Sequence, residues 1–129
     1  MKKLMVFSVI FTLIFSSCVK YEGKGGNTTV MGKVYVKKYN SLGQLVSEYY
    51  AQRFEVFIVY GADGVGVDDR ERTSYDGSFK FPYLRKGVYK VFVYSKCPSC
   101  PSGREAIIQT VEVSGKTELI DLGTIEIRD

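Results

Sequence analysis

The sequence predicts an all-β domain, an antiparallel β-sandwich or barrel. Three observations carry this. Apolar and polar residues alternate with a period of two over several short stretches. Turn-forming pairs, Asp76-Gly77 and Ser114-Gly115 among them, recur between those stretches. No stretch shows the 3.6-residue apolar period of an amphipathic helix. The chain has 129 residues, one domain's worth, with 45% hydrophobic and 25% charged residues. That composition argues against wholesale disorder and against a polytopic membrane protein.

The first segment stands apart from the fold. Lys2-Lys3 is a short positive region, Leu4 to Phe15 is an apolar run broken only by Ser8 and Thr12, and Ser16-Ser17-Cys18 follows. This three-part order is that of a secretory signal. The apolar run of 12 residues falls short of the roughly 18 that cross a bilayer as a helix. Phe15-Ser16-Ser17-Cys18 resembles the lipobox of bacterial lipoproteins, which implies cleavage before Cys18 and acylation of that cysteine. Several acyl chains on one residue make a stable anchor, and lipidation explains the odd count of three cysteines. Val19 stands where an Asp would hold some lipoproteins at the inner membrane, so the resemblance implies the outer membrane. The expected organisation is therefore a signal peptide over 1–17, an acylated cysteine and flexible tether over 18–29, and a folded domain over 30–129. Without Lys2 and Lys3, 16 basic residues face 14 acidic ones. With no long basic run and with export expected, nucleic acid is excluded as a partner.

Within the domain, Val30 to Tyr39 alternates and places Val34 and Val36 on one face. Asn40-Ser41-Leu42-Gly43 is turn-like. Phe54 to Tyr60 is strongly β-prone, and Gly61 to Arg72 is Gly- and Asp-rich and breaks the pattern. Asp76-Gly77 predicts a hairpin before Phe79 and Phe81. Val88 to Tyr94 predicts a strand with Tyr89, Val91 and Val93 on one face. Ala106 to Val113 is the next strand, and Ser114-Gly115 a tight turn. Leu119 to Ile127 closes the chain, with Gly123 as a bulge that changes which residues face inward.

The stretch Thr73-Ser74-Tyr75-Asp76-Gly77-Ser78-Phe79-Lys80-Phe81, then Leu84 and Gly87-Val88-Tyr89-Lys90-Val91-Phe92-Val93, resembles the signature of carboxypeptidase regulatory-like domains. Met31-Gly32-Lys33-Val34-Tyr35-Val36 and Asp121-Leu122-Gly123-Thr124-Ile125 are similar to that family's first and last strands. The resemblance implies a prealbumin-like (transthyretin-like), single antiparallel seven-stranded Greek-key β-sandwich. Its motif residues read as scaffold: Phe79, Phe81, Leu84 and Tyr89 supply core volume.

The chain contains no His. That removes His-based acid–base and nucleophile systems, His metal sites and the purine-pathway hydrolysis of some transthyretin-like proteins. No catalytic constellation is expected. Cys97-Pro98-Ser99-Cys100 is a Cys-x-x-Cys pair, read as a disulfide stapling the loop from Lys96 to Arg104, since oxidation is the default after export. The alternative is a redox pair, which would need a helix N-terminus to depress a thiol pKa. Asp63, Asp68, Asp69 and Glu71 could bind calcium, but the spacing is not that of an EF-hand and Arg70 and Arg72 compete, so a solvated loop is expected. The Lys-to-Asn isopeptide bond of related adhesin sandwiches is not expected: Val36-Lys37-Lys38 resembles the donor strand, but the acid's strand ends in Val93. Tyr49, Tyr50, Tyr60, Tyr75, Tyr83 and Tyr94 are the candidate ligand contacts, because a tyrosine offers a flat apolar ring and a hydroxyl. The expectation is a non-catalytic, lipid-anchored module at the bacterial envelope, without cofactor or metal, serving binding, structural or adhesive roles with a protein or glycan partner. The alternative is an envelope thiol–disulfide protein using Cys97 and Cys100.

Overall fold

The computed structural model describes residues 22–129. The signal segment and Cys18 lie outside the described residues. Among the described residues, eight strands follow one another without a helix: β1 (Lys24–Tyr39), β2 (Leu45–Tyr50), β3 (Glu55–Tyr60), β4 (Asp69–Arg72), β5 (Ser78–Leu84), β6 (Gly87–Lys96), β7 (Arg104–Val113) and β8 (Glu118–Arg128). They form two four-stranded sheets. In the first, β8 runs along one edge of the long β1, while β5 and then β2 succeed each other along the other edge. The second has the order β4-β3-β6-β7. The two sheets pack face to face over one core, a β-sandwich.

The period of two decides which face is buried. Val30, Val34 and Val36 on β1, Val56 and Ile58 on β3, Phe79 and Phe81 on β5, and Tyr89, Val91 and Val93 on β6 all point inward. Each fully buried side chain of this size contributes about 1.5–3 kcal/mol. On β8, Ile120 and Leu122 pack against the core before Gly123 and Ile125 and Ile127 after it. The β1–β8 register slips at that point, Met31 pairing with Asp121 but Lys33 with Thr124. The extra residue flips the inward parity, as a bulge must.

Buried polar groups tie the connections down. Thr73 Oγ1 donates to Ala51 O at 2.6 Å and accepts Phe54 N–H at 2.9 Å. Thr28 Oγ1 donates to Lys116 O at 2.6 Å, and Ser95 Oγ accepts Arg128 N–H at 2.8 Å. Lys24 Nζ lies 3.1 Å from Asp69 Oδ2, joining β1 to β4 of the opposite sheet.

The fold departs from the sequence expectation in five respects. There are eight strands, not seven, because β2 and β4 carry no buried alternation: β2 is exposed throughout, and β4 is Asp-Arg-Glu-Arg. The Gly61–Arg72 break is thus only partly loop; its last four residues pair with β3, Phe57 opposite Arg70. The sandwich is not wholly antiparallel, since β1 and β8 run parallel. Asp76-Gly77 does not close a hairpin. It turns the chain from β4 in one sheet to β5 in the other, with Gly77 N–H donating to Ser74 O at 3.0 Å. β1 also begins before Val30: residues 24–29, expected as tether, are its first part, where Lys24 and Thr28 both pair with Leu84. That Gly-rich segment lacks an apolar pattern because ladder hydrogen bonds and the buried Thr28 hold it.

Candidate functional site: an aromatic face on one sheet

An antiparallel sheet with one face on the core ordinarily turns polar residues outward. The β4-β3-β6-β7 sheet does so only in part, because large apolar residues stand among its outward charges. Residues directly opposite in its ladders share a face, and the outward row reads Arg70, Phe57, Phe92, Ile108 across the four strands. Tyr94, opposite Ala106, lies on the same side. Phe57, Phe92 and Tyr94 are half-buried yet stand outside the core cluster. Ile108 is exposed. The three rings cover one another: Phe57 and Phe92 stack with centroids 5.2 Å apart, and Tyr94 meets each edge-on at 5.5 Å. Mutual packing of this kind fixes ring orientation and is worth about 0.5–1.5 kcal/mol per pair.

Charge frames the rings. Arg70 and Arg72 both approach Glu55, at 3.7 and 3.8 Å. The Arg104 guanidinium lies over the Tyr94 ring, 4.3 Å from its centroid. Beyond Tyr94 the face turns into a groove of about 390 Å³ at the end of the sandwich. Val36, Ala51, Phe54 and Ile127 give it an apolar lining, and Lys96, Arg104 and Arg128 a basic one. A larger groove, about 750 Å³, crosses the outside of the other sheet between Met31, Pro82, Tyr83 and Leu119. Its aromatic residues are Tyr83 and the core residue Phe79, which do not form a cluster of packed rings.

The six candidate tyrosines do not converge. Tyr94 belongs to the aromatic face, and Tyr49 lines the end groove with it. Tyr50 lies on the opposite sheet, edge-on to Tyr35 at 5.0 Å with Lys33 over its ring. Tyr83 lines the larger groove at a positive φ of 60°, where β5 slips register against β1. Tyr75 is 82% exposed on the turn before β5. Tyr60 packs edge-on against Tyr89 at 5.7 Å, and burial, then Asp69, pushes its hydroxyl pKa up.

Cys97 and Cys100 form a disulfide at the tip of the β6–β7 hairpin, with Cα atoms 5.3 Å apart. Cys97 N–H also donates to Gly103 O, and Cys100 N–H to Cys97 O, so the backbone of this loop closes on itself. Glu105 comes near both sulfurs, but those sulfurs are committed to each other. The acidic loop does not gather its carboxylates around a common point. Asp68 accepts the Tyr60 N–H at 2.7 Å, while Asp69 faces Lys24. Lys37 is paired with Glu126 at 3.3 Å.

Sequence reasoning missed Phe57, Phe92 and Arg104. The signal was present in Val91-Phe92-Val93-Tyr94, where large apolar residues fill both parities. In a two-layer sandwich only one parity can be core, so the other must cover the outside.

No protein-family model matches the chain, and no curated protein is similar to it in sequence. Among solved structures, the chain is similar to the crystal structure of a proposed carbohydrate-binding protein from Pseudomonas aeruginosa, with 12% identity and a TM-score of 0.48. The match covers 83% of this chain and 91% of that one.

Proposed function

We propose that this chain is a lipid-anchored, non-catalytic glycan-binding module of the bacterial outer membrane, with the aromatic face as its ligand surface. One observation carries the reading. Three mutually packed rings stand on the solvent side of a sheet, where they cost solubility and add nothing to the core. A contiguous, half-buried apolar patch on the solvent side, continued by the exposed Ile108, marks a binding surface. A rigid apolar surface of packed rings suits the apolar face of a sugar ring, and the flanking polar groups suit its hydroxyls.

The anchoring part rests on the signal-like N-terminus and on Cys18. Five residues separate Cys18 from Lys24, a reach of at most about 22 Å. From Thr28, where regular pairing begins, β1 runs to Tyr39 over about 36 Å toward the end that carries Tyr94 and Arg104. The end groove would thus lie at the end of the domain away from the bilayer. As to family, Phe79, Phe81, Leu84 and Tyr89, the apolar residues of the carboxypeptidase regulatory-like motif, all sit in the core. That placement supports a prealbumin-like Greek-key sandwich with an added strand. The Cys97–Cys100 pair sits on a β-hairpin rather than at a helix N-terminus, which favours a loop staple over thiol exchange.

The test has two arms. Intact mass of the chain purified from bacterial membranes should show Met1 to Ser17 removed and acyl chains on Cys18. A glycan array probed with the native chain and with Phe92→Ala should show binding that the variant loses. An unmodified Cys18 sinks the anchor, and an array without signal sinks the glycan.

A further inference from the structure

We propose that the aromatic face takes an acidic glycan, a chain of sugars bearing carboxylates of the uronic-acid kind, which Lys96, Arg104 and Arg128 recognise. The inference rests on the glycan reading above and adds the ligand's charge. Lys96 and Arg104 stand directly opposite each other in the β6–β7 ladder. Like charges in that position repel. Arg128 joins them in the end groove, its guanidinium 4.3 Å from the centroid of the Tyr39 ring. Asp129 is the one acidic residue lining that groove. Among the described residues, none of the three cations lies in a salt bridge; the ion pairs involve Lys24, Lys37, Arg70 and Arg72.

The remainder of the face has the same sign. The outward registers place Arg70, Arg72, Lys90, Lys96 and Arg104 against Glu55 and Glu112. Arg70 and Arg72 share the single acid Glu55. A neutral sugar lying against the ring cluster leaves the Lys96–Arg104 repulsion in place. A carboxylate set between them removes it, and the guanidinium fork of Arg104 accommodates both oxygens. Arg104 is already oriented by Tyr94, so little side-chain freedom is lost on binding.

Calorimetry on the full lipidated chain in detergent micelles tests this with three probes: oligogalacturonate, a neutral gluco-oligosaccharide of equal length, and oligoglutamate. Oligogalacturonate should bind about tenfold or more tightly than the neutral sugar, the worth of one charge-assisted hydrogen bond. Arg104→Gln with Lys96→Gln should erase that preference, read as the ratio of the two sugars' affinities in the variant. Phe92→Ala should weaken both sugars. Both substituted cations are on the surface, and an unchanged circular dichroism spectrum confirms folding. Equal binding of acidic and neutral sugars overturns this inference and leaves the glycan reading standing. Binding of neither sugar overturns both. Oligoglutamate binding as tight as oligogalacturonate, or acidic binding untouched by Phe92→Ala, shows a bare ion-exchange surface and overturns the inference.

Discussion

Tyr89 Oη accepts the amide hydrogen of Gly23 at 2.9 Å and donates its own to Arg85 O at 2.7 Å. One fully buried phenol thus ties the entry of β1, the end of β5 and the start of β6. Arg85 N–H donates back to Gly23 O at 2.8 Å. Tyr89→Phe keeps the ring but leaves a buried donor and acceptor without partners. The expected loss is about 1–3 kcal/mol, read as a lower urea midpoint at unchanged slope.

The same contacts set the domain boundary. A chain starting at Val30 lacks Gly23, Lys24 and the buried Thr28. It should melt well below a chain starting at Glu22, with poorer dispersion in its amide NMR spectrum. Equal melting temperatures would return residues 24–29 to the tether.

Burial raises the Tyr89 pKa, and burial also leads the rise at Tyr60 and Tyr35. A folded-state pKa above the unfolded value means that the neutral phenol is favoured on folding. This contribution is fully present below about pH 10 and is lost as pH rises through the raised folded values. Lys24 and Lys37 add to the same trend, each held up first by its hydrogen bond to an acid, Asp69 or Glu126. Urea midpoints should therefore fall steadily above about pH 10, and less steeply in Tyr89→Phe. Identical slopes would remove Tyr89 from the effect.

Gly77 and Gly43 share nearly the same φ, 80° and 77°, but not the same surroundings. A Cβ on Gly77 would lie 2.7 Å from Val34 O and 2.9 Å from Tyr50 Cβ, whereas on Gly43 it meets nothing within 4 Å. Val34 N–H donates to Gly77 O and Val34 O accepts Ala51 N–H, both at 2.9 Å, where β5 gives way to β2 beside β1. Gly43→Ala should cost about 1–2 kcal/mol, the left-handed backbone penalty alone. Gly77→Ala should cost clearly more, because Val34 must also move. Equal losses in denaturation would show that this junction yields freely.

The disulfide closes a four-residue loop. Loop-closure entropy for so short a ring gives about 2 kcal/mol. Cys97→Ser with Cys100→Ser should lose that much stability and keep glycan binding. Loss of binding at full folding would instead give the hairpin tip a direct part in the ligand surface.

Much of the fold was legible where burial and alternation coincide. Val34 and Val36, Tyr89 to Val93, and the parity change at Gly123 all read directly, because a side chain facing a core must be apolar at every second position. β2 and β4 were not legible. Their ladders are satisfied by backbone groups, and neither strand buries a face that would demand apolar residues. The Asp76-Gly77 turn was legible as a turn, but not as a crossing between sheets, since the local conformation says nothing about which strand the chain will join next.

The candidate site divides in the same way. Tyr94 could be named from composition, and Cys97–Cys100 from spacing and compartment. Phe57 could not be joined to Phe92, nor Lys96 set against Arg104, until strand order and register were known.

By itself, the sequence determined an all-β domain behind a signal-like N-terminus, much of its core, and the absence of histidine chemistry. These follow from local pattern and composition, which each residue carries with it. Tertiary structure alone decided the parallel pairing of β8 with β1, the start of β1 at Lys24, and the meeting of three rings on a face that runs into a groove lined by three cations. Those depend on contacts between residues far apart in the chain, whose pairing is selected by packing of the whole and leaves no mark at either position.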